Sequence, residues 1–207
     1  FICPQCKSEL QLKIGKVKTP HFSHFRDANC HNLFSEGESE THLLGKLALY
    51  DFFKKANKNV VLEPYLATLS QRPDLLVQDR DRTYAIEFQC STIDLDLVSK
   101  RTSGYIQHGI HPYWLLNTSG RYYEETNCTK MISLTKFEQQ FIVKNGAHSY
   151  LLTFHPQTKT FFYYTHLIHF QTNQFIAEIQ RLPIQYQTFP FFQTKKMSFS
   201  KFLPLIK

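Results

Sequence analysis

Two acidic residues, Asp74 and Glu87, have the spacing of a divalent-metal site. Asp74 follows Pro73 at the start of an expected strand, and Glu87 lies in the next expected strand. A polar turn over residues 79–82 folds the second strand back on the first, so the two carboxylates can meet at one end of the hairpin. Two or three carboxylates suffice for Mg²⁺ or Mn²⁺, because such an ion keeps several waters. Bound there, it can activate water and stabilise charge on a phosphodiester.

Three further residues are candidates for this site. Gln89 lies two positions after Glu87, so both side chains share one face of the strand. Glu38 and His42 lie one helical turn apart and face the same way. The alternative for His42 is an ordinary position on a helix surface, and the alternative for Asp74 and Glu87 is solvent-facing positions in alternating strands. A carboxylate in an otherwise apolar strand is costly unless it is paired or bound to a metal, which favours the metal site.

The first 34 residues combine two cysteines and two histidines in a pattern typical of zinc binding. The pattern is CPQC at residues 3–6 followed by HFSH at residues 21–24. Cys3, Cys6, His21 and His24 can hold Zn²⁺ tetrahedrally, with a structural role because four ligands leave no open position. Cys30 and His31 are substitutes if His24 points elsewhere. The competing interpretations are a redox pair or unliganded residues.

The elements around these candidates predict an α/β fold. A capping box formed by Ser35 and Glu38 opens a helix that runs to about Ala56. The remaining elements are expected as strands over 60–66, 73–77 and 83–89, a helix over Leu95–Gln107 and a strand over 113–116.

Changes in composition divide the chain into three parts. We expect a Cys/His domain at residues 1–34, which is a β-hairpin turning near Gly15, and an α/β domain at 35–118. Residues 119–207 predict an α+β region of unknown role. Its elements are expected as helices over 134–143 and 170–182 and strands over 150–154 and 160–164.

Composition limits the class of protein. The formal net charge is +7, which suits a polyanionic partner but is no proof of one. The five cysteines are an odd number, which favours a reducing, cytoplasmic compartment over a disulfide framework. No apolar run approaches the roughly 18 residues that a membrane span needs. The chain opens inside an expected strand, so we expect a truncated first domain.

Four segments together resemble a known family. RPDLLV at residues 72–77 with AIEFQ at 85–89 resembles the core of PD-(D/E)xK nucleases, whose fold is a restriction-endonuclease-like mixed sheet flanked by helices. The preceding helix ESETHLLGK at residues 38–46 and the Cys/His opening are similar more narrowly to the competence protein CoiA family. The full architecture implied is a small zinc-ribbon-like β-hairpin, the nuclease-like sheet and a small α+β region.

The resemblance implies a role in natural transformation, in which incoming single-stranded DNA is processed or recombined. It implies a Mg²⁺-dependent or Mn²⁺-dependent nuclease, with DNA and recombination proteins as partners. Glu38 is carried over as an acid that completes the metal site, and Glu63 is a rival third carboxylate. The usual third residue of the motif is Lys, whereas Gln89 stands here, so a cation would have to come from elsewhere. The candidates for that cation are Lys46, Lys100 and Arg101.

Gln89 keeps other function classes open. A protein with a degenerate nuclease fold could bind DNA or mediate recombination without cleaving it. A zinc-stabilised scaffold could contact a recombinase and not DNA. The sequence favours the metal-dependent nuclease or nuclease-like DNA-processing factor.

Overall fold

The structure is a computed structural model that describes residues 1–3, 6–15, 21–26, 39–118, 128–145 and 148–191. A two-stranded hairpin lies in the N-terminal part, and a large mixed sheet carries most of the remaining elements. The hairpin pairs β1 (Leu10–Lys13) with β2 (His21–His24) in antiparallel register.

The described elements of the larger unit follow in chain order. They are α1 Glu40–Lys55, β3 Asn59–Leu62, β4 Leu75–Asp79, β5 Arg82–Gln89, α2 Leu95–Gln107, β6 Ile110–Asn117, β7 Cys128–Ser133, α3 Lys136–Gln139, β8 Val143–Asn145, β9 His148–His155, β10 Thr160–Gln171 and β11 Gln174–Pro183.

The large sheet has the strand order β3-β4-β5-β6-β9-β10-β11-β7, with β8 beside β9. Its pairs β5–β6 and β6–β9 are parallel and the others are antiparallel. Parallel neighbours need a long crossover connection, and α2 supplies it between β5 and β6. The predicted α/β class and mixed sheet with flanking helices are therefore confirmed.

The sheet runs without a break across the boundary predicted near residue 118. Leu116 pairs with Thr153, and the N–H of Thr118 donates to the carbonyl of Phe154 over 3.0 Å. The C-terminal strands therefore extend the sheet that carries Asp74 and Glu87.

Each face of the sheet has its own apolar core. On one face, Phe88, Leu115, Phe154 and Phe161 pack with residues of α1 and with Phe191. The core of the opposite face is made by the following buried residues: Leu116, Ile132, Leu134, Leu151, Phe162, Tyr164, Phe175, Ala177 and Ile179. Because successive strand residues point to opposite faces, Glu87 points away from the face that Phe88 packs.

A two-residue turn joins β4 and β5. Asp79 pairs with Arg82 at the end of the ladder, which leaves Arg80 and Asp81 as the turn. Arg80 has a φ of +52°, and a two-residue hairpin turn needs such a positive φ at its first position. The polar turn predicted at residues 79–82 is confirmed, and it aligns the strands that lead to Asp74 and Glu87.

Helix α1 lies close to β5 because it carries a glycine at the contact. A Cβ atom built at Gly45 would lie 2.1 Å from Cε1 of Phe88. The helix is capped by Ser39, whose hydroxyl accepts from the N–H of His42 at 3.2 Å. The cap predicted at Ser35 and Glu38 lies outside the described residues.

Two helix predictions in the C-terminal part are wrong in whole or in part. Residues 170–182 form the end of β10 and most of β11. The helix prediction failed because residues 175–179 of β11 are buried on both faces, so this stretch shows no clear period of two. The helix expected over 134–143 is limited to Lys136–Gln139, after which β8 begins. The strands expected at 150–154 and 160–164 are confirmed.

The described part of the chain contains no helix with the length and apolar character needed to span a bilayer.

Candidate functional site

Asp74 and Glu87 lie at the same end of the β4–β5 pair. Leu75 pairs with Ile86, and Asp74 and Glu87 are the next residues beyond that pair on the two strands. The carbonyl of Asp74 accepts from the N–H of Glu63 at 2.9 Å, which ties the start of β4 to the end of β3. The backbone therefore places the two residues side by side at one end of the strand pair.

The carboxylate of Asp74 is fixed through one of its oxygens. Its Oδ2 atom accepts from the backbone N–H of Phe88 at 2.7 Å and contacts Nε2 of His42 at 3.2 Å. The side chain is 16% exposed and that of His42 is 25% exposed. Among the described residues, none provides a hydrogen-bond partner for Oδ1.

Glu87 is likewise held by one oxygen. Its Oε1 atom accepts from the guanidinium of Arg101 and from the hydroxyl of Tyr105, the latter at 2.5 Å. Both donors come from α2. Within the described ranges, Oε2 has no hydrogen-bond partner.

Burial changes the protonation of Glu87. Its side chain is 6% exposed, and this burial raises its pKa to about 7 despite the opposing charge of Arg101. The charge of Asp74 raises the pKa further. Burial also raises the pKa of Tyr105, so its hydroxyl stays a donor to Glu87.

Arg101 contacts the carboxylate of Glu87. It was one of three candidates to replace the missing Lys of the motif. Lys46, another candidate, is buried on α1 and forms an ion pair with Glu63. Lys100, the third, is exposed on α2.

Gln89 and Glu38 were the other residues expected at the carboxylates. The side-chain amide of Gln89 donates to the carbonyl of Ser91 at 2.8 Å, so it faces the loop after β5. Glu38 lies outside the described residues, and its role as a third acid stays a prediction. A metal site of three side chains would have all its ligand atoms within 4.8 Å of one another. Among the residues that the structure describes, Asp74 and Glu87 form no such group with a third acidic or histidine side chain.

Sequence reasoning missed Tyr105 as part of the site. The available signal was its spacing: Tyr105 and Arg101 are four residues apart on a predicted helix, so they share one face. The pattern could not show that this face meets Glu87, because that depends on how the crossover helix packs on the sheet.

Three of the four predicted zinc ligands converge in the N-terminal hairpin. One ligand atom each from Cys3, Cys6 and His24 lies within 4.8 Å of the others, and Sγ of Cys6 is 3.2 Å from Nε2 of His24. This is the one such group within the described ranges. The side chain of His21, like Cys30 and His31, lies outside them. Two thiols and an imidazole are ligands that Zn²⁺ prefers.

Comparisons with known proteins agree over nearly the whole chain. Residues 38–197 match the family described as "Competence protein CoiA, nuclease-like domain", and residues 1–33 match "Competence protein CoiA, N-terminal domain". A curated relative, "Competence protein CoiA" of Bacillus subtilis (strain 168), is 36% identical over 184 residues, which cover 89% of this chain and 48% of that protein.

The chain therefore spans about half the length of that curated relative. No solved structure matches it significantly. The two matched regions, with the identity to the relative, show that the chain belongs to the competence protein CoiA family.

Proposed function

We propose that this protein is a divalent-metal-dependent DNA nuclease that processes incoming single-stranded DNA during natural transformation. The observation that carries the proposal is the paired arrangement of Asp74 and Glu87. Each carboxylate is held by protein donors on one oxygen and has its other oxygen without a partner among the described residues. Two such oxygens at neighbouring strand ends fit one hard cation.

Oδ1 of Asp74 and Oε2 of Glu87 would hold Mg²⁺ or Mn²⁺, and waters would complete the coordination. When bound, the ion supplies an activated water and stabilises the charge that develops on the phosphate. His42 and the N–H of Phe88 orient Asp74 through its Oδ2 atom. Glu38, on the stretch before α1, is proposed as a further acid.

The charge of the chain supports DNA as the substrate class. A formal net charge of +7 favours encounter with a polyanion and makes binding depend on salt. The family name refers to competence, which links the chain to transforming DNA. Recombination proteins as partners and a cytoplasmic location complete this proposal.

A second candidate function rests on Gln89. Its amide donates to the carbonyl of Ser91, and because Gln is uncharged, β5 offers no cation at the position two residues after Glu87. This favours a non-catalytic DNA-binding or recombination-mediating role. In that case Asp74→Ala would spare transformation, whereas salt would weaken DNA binding steeply.

We also propose a structural zinc site at Cys3, Cys6 and His24, with a fourth ligand from His21, Cys30 or His31. The support is the convergence of two thiols and an imidazole in a small hairpin that has little apolar core of its own. Ile2, Leu12 and Phe22 of this hairpin are exposed. A metal would supply the stability that such a core cannot.

The proposed activity is tested by cleavage of end-labelled single-stranded and double-stranded DNA in Mg²⁺ and in Mn²⁺. We expect cleavage by the wild type that a chelator abolishes, and background cleavage by Asp74→Asn and Glu87→Gln. Asp81→Asn, which changes an exposed acid in the β4–β5 turn, should cleave like the wild type. If the wild type cleaves no DNA with either ion, the nuclease proposal is wrong and the non-catalytic DNA-binding role is favoured.

A further inference from the structure

Arg101 and Tyr105 lie one helical turn apart on α2 and reach the same atom of Glu87. Both donate to Oε1, from the sheet face opposite to α1. The proposed metal site uses neither residue as a ligand. Two donors on one oxygen favour one orientation of the carboxylate, in which Oε2 is the oxygen that would bind the metal.

Arg101 also joins the two strand ends that carry the carboxylates. Its Nη2 atom donates to Oε1 of Glu87 and to the backbone carbonyl of Arg72, the latter at 2.8 Å. Arg72 lies two residues before Asp74. A single guanidinium nitrogen therefore connects β5 to the segment that positions Asp74.

The guanidinium itself is held in place. It lies over the ring of Trp114, with Cζ 6.0 Å from the ring centroid, and its side chain is 14% exposed. Trp114 is fixed in turn, because its Nε1–H donates to the hydroxyl of Thr102 at 3.0 Å. A cation held by these contacts acts as a fixed charge and not as a mobile group that follows a phosphate.

We propose that Arg101, supported by Tyr105, is a positioning residue that sets the orientation of Glu87 and its separation from Asp74 for a shared divalent cation. This inference rests on the proposed metal site. Arg101 acts through Glu87 and the carbonyl of Arg72, so its loss should weaken metal binding and turnover and should leave DNA affinity unchanged.

The test measures Mn²⁺ affinity by titration calorimetry on the whole chain, with the helical circular dichroism signal and the Tm recorded for each variant. We expect Arg101→Gln to weaken Mn²⁺ binding by about 10-fold to 100-fold, as is typical when a residue that supports a ligand is lost. Arg101→Lys should recover part of the affinity because it keeps the charge. Tyr105→Phe removes one hydroxyl, preserves the ring, and should weaken binding less.

Lys100→Gln is the matched control, since it removes a neighbouring exposed cation of the same helix and should bind Mn²⁺ like the wild type. In the cleavage assay, Arg101→Gln should lower kcat with an unchanged KM for DNA. If Arg101→Gln folds poorly, the Mn²⁺ affinity of Tyr105→Phe tests the proposal instead. An affinity equal to that of the wild type would then overturn it.

Two failures can be told apart. If the wild type binds no Mn²⁺, the metal site is wrong and the positioning role is wrong with it. If the wild type binds Mn²⁺ and Arg101→Gln binds it equally well or more tightly, only the positioning role is overturned. A raised KM with an unchanged kcat would also overturn it, because it would mean that Arg101 contacts DNA directly.

Discussion

The backbone N–H of Phe88 donates a hydrogen bond of 2.7 Å to Oδ2 of Asp74. This bond joins the residue before β4 to the strand that carries Glu87, so the place of Asp74 is set by a backbone group and not by a flexible side chain. Phe88 also packs its ring against Gly45 of α1. Phe88 of β5 therefore contacts both Asp74, just before β4, and helix α1.

Gly45→Ala should destabilise the protein and widen the gap between α1 and β5. The new Cβ would lie 2.1 Å from the ring of Phe88, and overpacking of this kind costs about 1–3 kcal/mol. The gain in helix propensity, about 1 kcal/mol, offsets only part of this cost. Chemical denaturation measures the difference in the free energy of unfolding. Leu44→Ala, at an exposed position of the same helix, should change it little.

A compensating variant checks the cause of that loss. Gly45→Ala combined with Phe88→Leu should be more stable than the sum of the two single changes predicts, because the smaller side chain makes room for the Cβ. Additive losses would show that the helix contact is not the cause.

His42→Ala should weaken binding of Mn²⁺ about 10-fold without a comparable loss of stability. The reason is the 3.2 Å contact between Nε2 of His42 and Oδ2 of Asp74, which orients a proposed ligand. The measurement is calorimetric titration. His169→Ala, which removes an exposed histidine of β10, is the control. If the wild type, His42→Ala and His169→Ala bind Mn²⁺ equally well, His42 has no role in the metal site and is an ordinary helix-surface residue.

The ionisation of Glu87 should make the stability of the protein depend on pH. Its pKa is about 7 in the folded protein and near the ordinary value of 4.5 in the unfolded chain. As pH rises from 4.5 to 7, the unfolded chain ionises this group while the folded protein still keeps it protonated. Stability without metal therefore falls across this window and then levels off, by roughly 3 kcal/mol in total.

Glu87→Gln removes this titration, so its free energy of unfolding should lose that part of the pH slope. Urea unfolding at several pH values between 4.5 and 8, in the presence of a chelator, measures the slope. Asp81→Asn should follow the wild type. A Glu87→Gln variant with the wild-type slope would show that Glu87 ionises normally in the folded protein.

Zinc content should depend on Cys6 and not on Cys90. We expect about one zinc ion per purified chain and a much lower content in Cys6→Ser, because a thiolate ligand is lost. Cys90→Ser, outside the hairpin, should keep the wild-type content. Emission spectrometry of the dialysed proteins measures the number of zinc ions per chain. Metal-free wild type with an unchanged Tm would rule out a structural zinc site.

The central elements could be predicted because their signals are local. The turn at residues 79–82 and the alternation of β5 needed no knowledge of distant residues, and the structure has α2 over Leu95–Gln107 as expected. Phe170–Leu182 was misread because Ala177 and Ile179 are buried on one face and Ile176 and Glu178 on the other. Burial on both faces hides the period of a strand.

The candidate site divides in the same way. Strand spacing was enough to place Asp74 and Glu87 at neighbouring ends. The donors that hold each carboxylate were less predictable, because His42 comes from α1 and Arg101 from α2, on opposite faces of the sheet. The strand pattern also could not show the contact of Gln89, because its amide donates to the carbonyl of Ser91 in the loop after β5.

The most direct test of the shared metal site is the crystal structure of the wild type soaked in Mn²⁺, with the anomalous difference map calculated at a wavelength where manganese scatters strongly. We predict one peak within about 2.5 Å of both Oδ1 of Asp74 and Oε2 of Glu87. An absent peak, or a peak bound to one carboxylate while the other points away, would contradict the account.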